Sequence, residues 1–222
     1  MSEVLVERRG PVALLTLNRP DVLNALSVTM AAAIAAAVEE AAQTPEVRAI
    51  VITGEGRAFS SGGDIAFMKE VVDQGGRFED FEPLVGGGPA VVRAIMHANK
   101  PVLAAVNGVA AGGGMSLALA CDIRWAAEGA RFGQSFVKIG LHPDWGAVYT
   151  LPRLVGHARA LELMWTGDLI GAQEAERIGM VSRVLPADRL LPELIEFAHR
   201  LARGPAVALA DRLGLLGLEP LL

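Results

Sequence analysis

Short apolar runs alternate along the chain with longer amphipathic stretches, and this alternation predicts the secondary structure. The apolar runs are bounded by Gly, Pro, Asn or Asp, a pattern that is typical of buried strands. They cover residues 4–8, 12–17, 48–53, 101–106, 122–125, 130–133 and 181–184. Arg9, Gly10 and Pro11 join the first two runs and indicate a hairpin turn.

The longer stretches predict helices, the first of which is alanine-rich and follows Ser27, a good N-terminal cap. The predicted helices cover residues 28–43, 65–73, 89–98, 115–120, 147–154, 157–166, 172–178 and 190–202. The predicted order begins with two strands and a helix. A unit of strand, glycine loop and helix then follows two times. Residues 51–54 also weakly resemble residues 105–108. We therefore expect an α/β fold that stacks β-β-α units rather than a simple βαβ sheet.

Composition and charge exclude several classes of protein. The chain has 222 residues, of which 52% are hydrophobic, as in a folded protein with one large core. A net charge of −5 without a long basic run argues against nucleic-acid binding. The most apolar stretch, residues 101–121, is broken by Asn107 and four glycines, so we expect core rather than a membrane span. The N-terminus carries no basic-then-apolar leader, so we expect a cytoplasmic location.

The cysteine and histidine pattern predicts neither a disulfide nor a metal site. Cys121 is the single cysteine, which excludes an internal disulfide, and its apolar surroundings predict a buried, inert thiol. The four histidines are scattered, and none stands at metal-ligand spacing from Cys or Glu. We therefore expect no metal.

Two glycine corners are the first candidates for chemistry. Residues 60–63 and 112–114 each lie between a predicted strand and a predicted helix. A helix start presents unpaired backbone N–H groups, and two N–H groups aimed at one oxygen form an oxyanion hole. The plain alternative is a close-packed turn without a ligand. The nucleotide signatures G-x-x-x-x-G-K-[ST] and G-x-G-x-x-G do not occur in a strand-to-helix setting.

Residues 114–118 offer a remote alternative, because Gly-Met-Ser-Leu-Ala is close to the G-x-S-x-G elbow of serine hydrolases. Asp144 and His157 follow Ser116 in the order of a catalytic triad. Against a hydrolase, the fifth position is Ala, and no H-G-G-G precedes the motif.

Ordered motifs over residues 4–204 resemble the enoyl-CoA hydratase/isomerase (crotonase) family. The matching blocks are residues 17–20, 58–65, 105–108, 112–114, 121–123, 132–134, 140–144, 151–156 and 175–181. The resemblance implies a ClpP/crotonase-like spiral of β-β-α units with C-terminal helices, assembled as a homotrimer or hexamer. It also implies an acyl-CoA thioester as ligand, so that coenzyme A is part of the substrate and no separate cofactor is needed.

The resemblance also implies the site. The backbone N–H groups of Ser61 and Gly113 would form the oxyanion hole for the thioester oxygen. The substrate-binding residues would be Ala25, Ser61, Gly62, Gly63, Asp64, Ile65, Phe136 and Trp145, although Trp145 is as easily explained as a core residue.

The resemblance favours an isomerase over a hydratase. Family hydratases use two glutamates, and the corresponding positions here are Ser116 and Phe136. Asp144 remains, in a loop similar to the Gly-Leu-x-Pro-Asp-x-Gly loop of the family's single-Asp isomerases, which act on enoyl-CoA double bonds or on a ring epoxide. An isomerase needs one carboxylate to take a proton and return it, and apolar neighbours are expected to raise its pKa.

Four alternatives to this isomerase interpretation stay open at this point. Asp144 could instead cap the following helix, or attack as a nucleophile as in the family's aryl-CoA dehalogenases. The protein could also be hydratase-like, or an acyl-CoA-binding member with weak catalysis. We expect residues 1–200 to form the spiral core, and the leucine-rich residues 201–222 to form a short, atypical helical tail.

Overall fold

The computed structural model describes residues 2–210, apart from the side chains of residues 78 and 82–85. The strands are β1 (Val4–Arg9), β2 (Val12–Leu17), β3 (Ala49–Gly54), β4 (Ala58–Ser60), β5 (Val102–Val106), β6 (Val109–Ala111), β7 (Ile123–Ala127), β8 (Arg131–Gly133), β9 (Ile170–Gly171) and β10 (Arg183–Leu185). The helices are α1 (Val28–Gln43), α2 (Ile65–Asp73), α3 (Glu82–Met96), α4 (Gly113–Ala120), α5 (Ala147–Val155), α6 (His157–Thr166), α7 (Ala172–Arg177), α8 (Ala187–Ala202) and α9 (Ala206–Ala210).

The strands form two sheets. One has six strands in the order β1-β2-β3-β5-β7-β10, and the other has four strands in the order β4-β6-β8-β9. The pairs β3 and β4, β5 and β6, and β7 and β8 each place one strand in each sheet before the chain enters a helix. This arrangement confirms the predicted α/β fold of β-β-α units.

The core lies on both faces of the six-stranded sheet, because its central strands are parallel and mainly apolar. On β2, Leu15 faces the large cluster shared with α1 and α3, whereas Leu14 faces the smaller cluster under α8. Leu194 of α8 is fully buried in that smaller cluster. Both faces of the six-stranded sheet are therefore fixed by packing.

The sequence placed the start of α3 wrongly. The helix was predicted to begin at Pro89, but it begins at Glu82 and carries three glycines in its interior. A methyl group added at Gly87 would lie 2.8 Å from Ala31 Cβ, and one added at Gly88 would overlap the Trp145 indole. These glycines therefore serve close helix packing, and they do not break the helix.

The tail is described only in part. The helix α8 ends at Ala202 and the short helix α9 follows, and residues 211–222 of the predicted tail lie outside the described residues. Within residues 2–210, no helix has the length and apolar character needed to cross a membrane.

Replacing Gly114 with Ala should test how tightly the units pack. The added methyl group would overlap Ser60 O and lie 2.7 Å from Ser60 Cβ, where α4 meets β4. We expect the free energy of unfolding in urea to fall by about 2–4 kcal/mol, since backbone cannot move aside cheaply. Gly129→Ala is the matched control, because nothing lies within 4 Å of its added methyl group. Equal stabilities for the two variants would contradict the tight contact.

Candidate active site

One pocket lies where the two glycine corners meet the loop before α5. Its lining residues are Leu26, Ser61, Gly62, Gly63, Ile65, Met68, Gly112, Gly113, Ser135, Phe136, Ile139, Leu141, Asp144 and Trp145. The structure thus brings together every predicted site residue except Ala25 and Asp64. The pocket is walled mainly by apolar side chains and backbone.

Ala25 and Asp64 instead hold the first corner in place through Arg19. The Arg19 guanidinium donates to Ala25 O at 2.7 Å and to Asp64 Oδ2 at 2.9 Å, and it also pairs with Glu3 at 3.0 Å. Asp64 caps α2, because its Oδ1 accepts the Ala66 N–H at 3.1 Å. Their place in the structure is therefore behind the pocket wall.

The first glycine corner does not present the N–H donor that the sequence predicted, that of Ser61. The Ser61 N–H already donates to Leu23 O at 2.9 Å, so it is not available to a ligand. The prediction that Ser61 supplies an oxyanion N–H is therefore wrong. The N–H two residues on, at Gly63, makes no hydrogen bond within the described residues. Its peptide is nevertheless held, because Gly62 O accepts the Leu26 N–H at 2.7 Å.

The second corner presents the Gly113 N–H, as predicted. Gly113 is the first residue of α4, and its N–H makes no hydrogen bond within residues 2–210. A methyl group added at Gly62 would lie 3.3 Å from Gly113 N, and one added at Gly113 would lie 3.8 Å from Gly63 N. Two unpaired N–H groups, those of Gly63 and Gly113, therefore border the same small volume. Such a pair can hold one oxyanion.

Asp144 reaches the pocket from a constrained loop. Trp145 and Gly146 both have left-handed backbone, with φ of 49° and 74°. The helix α5 has Gly146 as its N-cap, without a side-chain cap. Asp144 Oδ1 is buried and has no hydrogen-bond partner in the part of the chain that the structure describes. The capping explanation for Asp144 is therefore excluded.

The surroundings of Asp144 favour its neutral form. Burial among apolar side chains raises the pKa of Asp144 to about 6, and its own backbone N–H and His142 only partly offset this effect. Among the described residues that line the pocket, Asp144 is also the single one with a titratable side chain. A carboxyl group with this pKa can exchange protons near neutral pH.

Ser116 is not placed to act as a nucleophile. Its side chain is fully buried beneath the second corner and is absent from the pocket lining. In the described part of the chain its hydroxyl contacts Gly112 O at 3.1 Å and the Gln134 amide nitrogen at 3.5 Å, and neither group is a base. His157 lies exposed at the start of α6. The serine-hydrolase alternative is therefore wrong.

The sequence reasoning missed three apolar lining residues, Leu26, Met68 and Ile139. A local signal existed for one of them, because Met68 follows Ile65 by three residues and shares its face of α2. Over residues 2–210, no three His, Cys, Asp or Glu side chains stand close enough together to hold a metal ion.

Known proteins match this chain over most of its length. The sequence profile of the family described as enoyl-CoA hydratase/isomerase matches residues 7–212. A relative from Syntrophomonas wolfei named crotonyl-CoA hydratase is 42% identical over 199 residues, covering 89% of this chain and 75% of the relative.

Solved structures agree with the sequence match. A crystal structure of an enoyl-CoA hydratase from Mycobacterium avium subsp. paratuberculosis has a TM-score of 0.89 at 38% identity and covers 100% of this chain and 87% of its own. A structure described as a monofunctional enoyl-CoA isomerase from M. smegmatis has a TM-score of 0.82 at 36% identity. The match covers 99% of this chain and 95% of the isomerase chain. The chain therefore belongs to the enoyl-CoA hydratase/isomerase family and has the crotonase fold.

Proposed function

We propose that this protein is an enoyl-CoA isomerase that shifts a double bond, or rearranges a ring epoxide, next to a thioester. The observation that carries the proposal is Asp144, whose buried Oδ1 has no hydrogen-bond partner within residues 2–210, and which is the one titratable side chain among the described residues of the lining. It shares the pocket with the N–H groups of Gly63 and Gly113. One acid and two donors are the groups that enolate chemistry requires.

The two N–H groups would bind the thioester oxygen of the substrate. Removal of a proton from the α-carbon places negative charge on that oxygen, and both donors then strengthen their hydrogen bonds. Loss of one such donor typically costs about 10²–10³ in rate. The apolar walls formed by residues such as Phe136 and Leu141 exclude water and strengthen these interactions.

Asp144 would remove a proton from one carbon of the substrate and return it to another. As a carboxylate it removes the α-proton, and the electron pair spreads through the enolate to the γ-carbon. The protonated Asp144 then returns the same proton at the γ-carbon, so that the double bond moves from the 3,4 to the 2,3 position. A pKa of about 6 keeps Asp144 ionised at neutral pH while making it a stronger base than an exposed carboxylate.

Hydration of enoyl-CoA is the second candidate, and the names of the similar proteins favour it. Against it, the two positions that carry glutamates in family hydratases hold Ser116, which is hydrogen-bonded and fully buried, and Phe136, which is apolar. The similar structure described as an isomerase is matched over 95% of its length.

We also propose that the chain assembles as a homotrimer or hexamer. Support comes from apolar side chains left on the described surface, including Trp165, which is 71% exposed, and the nearby Val137 and Leu169. Sedimentation should give three or six times the chain mass of 23.3 kDa. A sedimenting species of one chain mass would contradict the proposal.

Asp144→Asn should abolish isomerisation. We expect kcat for a 3-enoyl-CoA, followed by the ultraviolet absorbance of the conjugated product, to fall by about 10²–10⁴ while binding of the thioester persists. For the parent enzyme, kcat/KM should fall tenfold per pH unit below about 6, because the base becomes protonated.

Asp188→Asn is the control, since this exposed carboxylate on α8 lies outside the pocket. Unchanged turnover in Asp144→Asn would refute the assigned role. Rapid loss of absorbance from a 2-enoyl-CoA, without formation of that product from its 3-enoyl isomer, would favour the hydratase.

The Asp144→Asn variant should be more stable to unfolding than the parent protein at neutral pH. The folded-state pKa of about 6 exceeds the ordinary value of 3.8, so the ionised group destabilises the fold above pH 6. We expect Asp144→Asn to raise the free energy of unfolding by about 1–3 kcal/mol at pH 7.5, and the gain to vanish towards pH 4. Asp188→Asn should instead lower it by about 0.3–1 kcal/mol, since Asp188 lies in the first turn of α8. A gain that does not depend on pH would refute the linkage.

A further inference from the structure

Beneath the second glycine corner, the hydroxyl of Ser116 reaches a carbonyl that belongs to the proposed oxyanion hole. Ser116 Oγ donates to Gly112 O at 3.1 Å, and the Ser116 N–H donates to the same oxygen at 3.0 Å. Gly112 O and the Gly113 N–H are the two ends of one peptide group. Whatever binds that carbonyl therefore acts on the N–H that faces the pocket.

This peptide needs support, because its backbone conformation is one that L side chains rarely adopt. Gly112 has φ of 49° and ψ of −125°, and its own N–H is anchored to Gly133 O at 2.9 Å. The helix supplies one bond to Gly112 O, and the Ser116 hydroxyl supplies a second. With two donors on its carbonyl oxygen, the peptide plane has little freedom to rotate.

A second buried residue approaches Ser116 from the far side. The Gln134 side-chain amide is fully buried, and its nitrogen lies 3.5 Å from Ser116 Oγ. The hydroxyl donates its proton to Gly112 O and therefore presents its lone pairs to Gln134. Hydrogen bonds arranged head to tail polarise one another, so each link strengthens the next.

We propose that Ser116 is a positioning residue that orients and polarises the Gly112–Gly113 peptide, so that the Gly113 N–H becomes a stronger donor to the enolate oxygen. Gln134 supports Ser116 in this role. The inference rests on the oxyanion hole assigned under the proposed function. The charge on the oxygen develops during the reaction, so Ser116 should affect kcat more than KM.

The expected size of the effect follows from two general magnitudes. Cooperative polarisation adds about 10–30% to a hydrogen bond, and one oxyanion donor is worth about 10²–10³ in rate. Loss of the Ser116 hydroxyl should therefore reduce kcat about two- to eightfold. Ser116→Ala keeps the backbone bond to Gly112 O and favours helix at this position, so the variant should fold.

The decisive measurement uses acetoacetyl-CoA, a 3-ketoacyl thioester whose enolate absorbs in the ultraviolet. An oxyanion hole lowers the pKa of its α-carbon on binding, and Asp144 need not act as a proton shuttle for this shift to appear. We expect Ser116→Ala to weaken enolate formation on the enzyme by the same two- to eightfold factor. Thr53→Val is the control, because the Thr53 hydroxyl is also buried and donates to a backbone oxygen, Ala105 O at 3.0 Å, away from the pocket.

Each outcome decides a different question. An enolate as stable on Ser116→Ala as on the parent, or an equal loss in Thr53→Val, would overturn the role of Ser116 and leave the isomerase proposal standing. Enolate stabilisation that depends on Ser116, in an enzyme without isomerase activity, would support this role and overturn the proposed reaction. No stabilisation by the parent chain would overturn both proposals.

Discussion

The site depends on backbone packed directly against backbone where two successive β-β-α units meet. A methyl group added at Gly114 would overlap Ser60 O, and one added at Gly62 would lie 2.7 Å from Ala111 O. At these separations no side chain fits between the corners, so each corner fixes the position of the other. The N–H groups of Gly63 and Gly113 are left at the edge of this contact. The close packing of the two corners therefore also places the two N–H donors next to each other.

The two donor N–H groups belong to the Gly62–Gly63 and Gly112–Gly113 peptides. The carbonyl oxygens of both peptides accept hydrogen bonds, whereas their N–H groups make none within the described residues. Gly62 O accepts the Leu26 N–H, and Gly112 O accepts two donors from Ser116. An N–H held in this way does not have to reorient when charge develops on a ligand, which is the condition for strong electrostatic stabilisation. The arrangement requires glycine at position 62, because its φ of 99° is one that L side chains rarely adopt.

Local signals in the sequence were sufficient for most of the regular elements. The bounds of α1 were predicted correctly because Ser27 accepts the Met30 N–H and the alanine-rich stretch ends before Pro45. The strands β4 and β6 were missed, because each has three residues and exists only through pairing within the second sheet. The start of α3 was missed because its glycines are explained by contacts with Ala31 and Trp145, which no local pattern reveals.

Most of the predicted site residues line one pocket, but Ala25 and Asp64 do not, and Ser61 is not an open donor. The motifs identified the corners and Asp144, since their residues are neighbours in sequence. Whether an N–H is open depends on acceptors elsewhere in the chain, and Leu23 O occupies the Ser61 N–H. Whether Asp144 caps a helix likewise depended on the left-handed turn at Trp145, whose indole packs against Gly88 of α3.

The placement of Asp144 and Ser116 explains how one carboxylate could be enough for the proposed chemistry. The loop holds Asp144 in an apolar pocket where no described residue satisfies Oδ1, and its raised pKa means that the ionised carboxylate lowers the stability of the fold. A second carboxylate at position 116 would have replaced the hydroxyl that holds Gly112 O. With Ser there, the second corner would only stabilise charge in the proposed reaction, and proton transfer would fall to Asp144. Such a division suits a reaction that returns its proton to the substrate and needs no activated water.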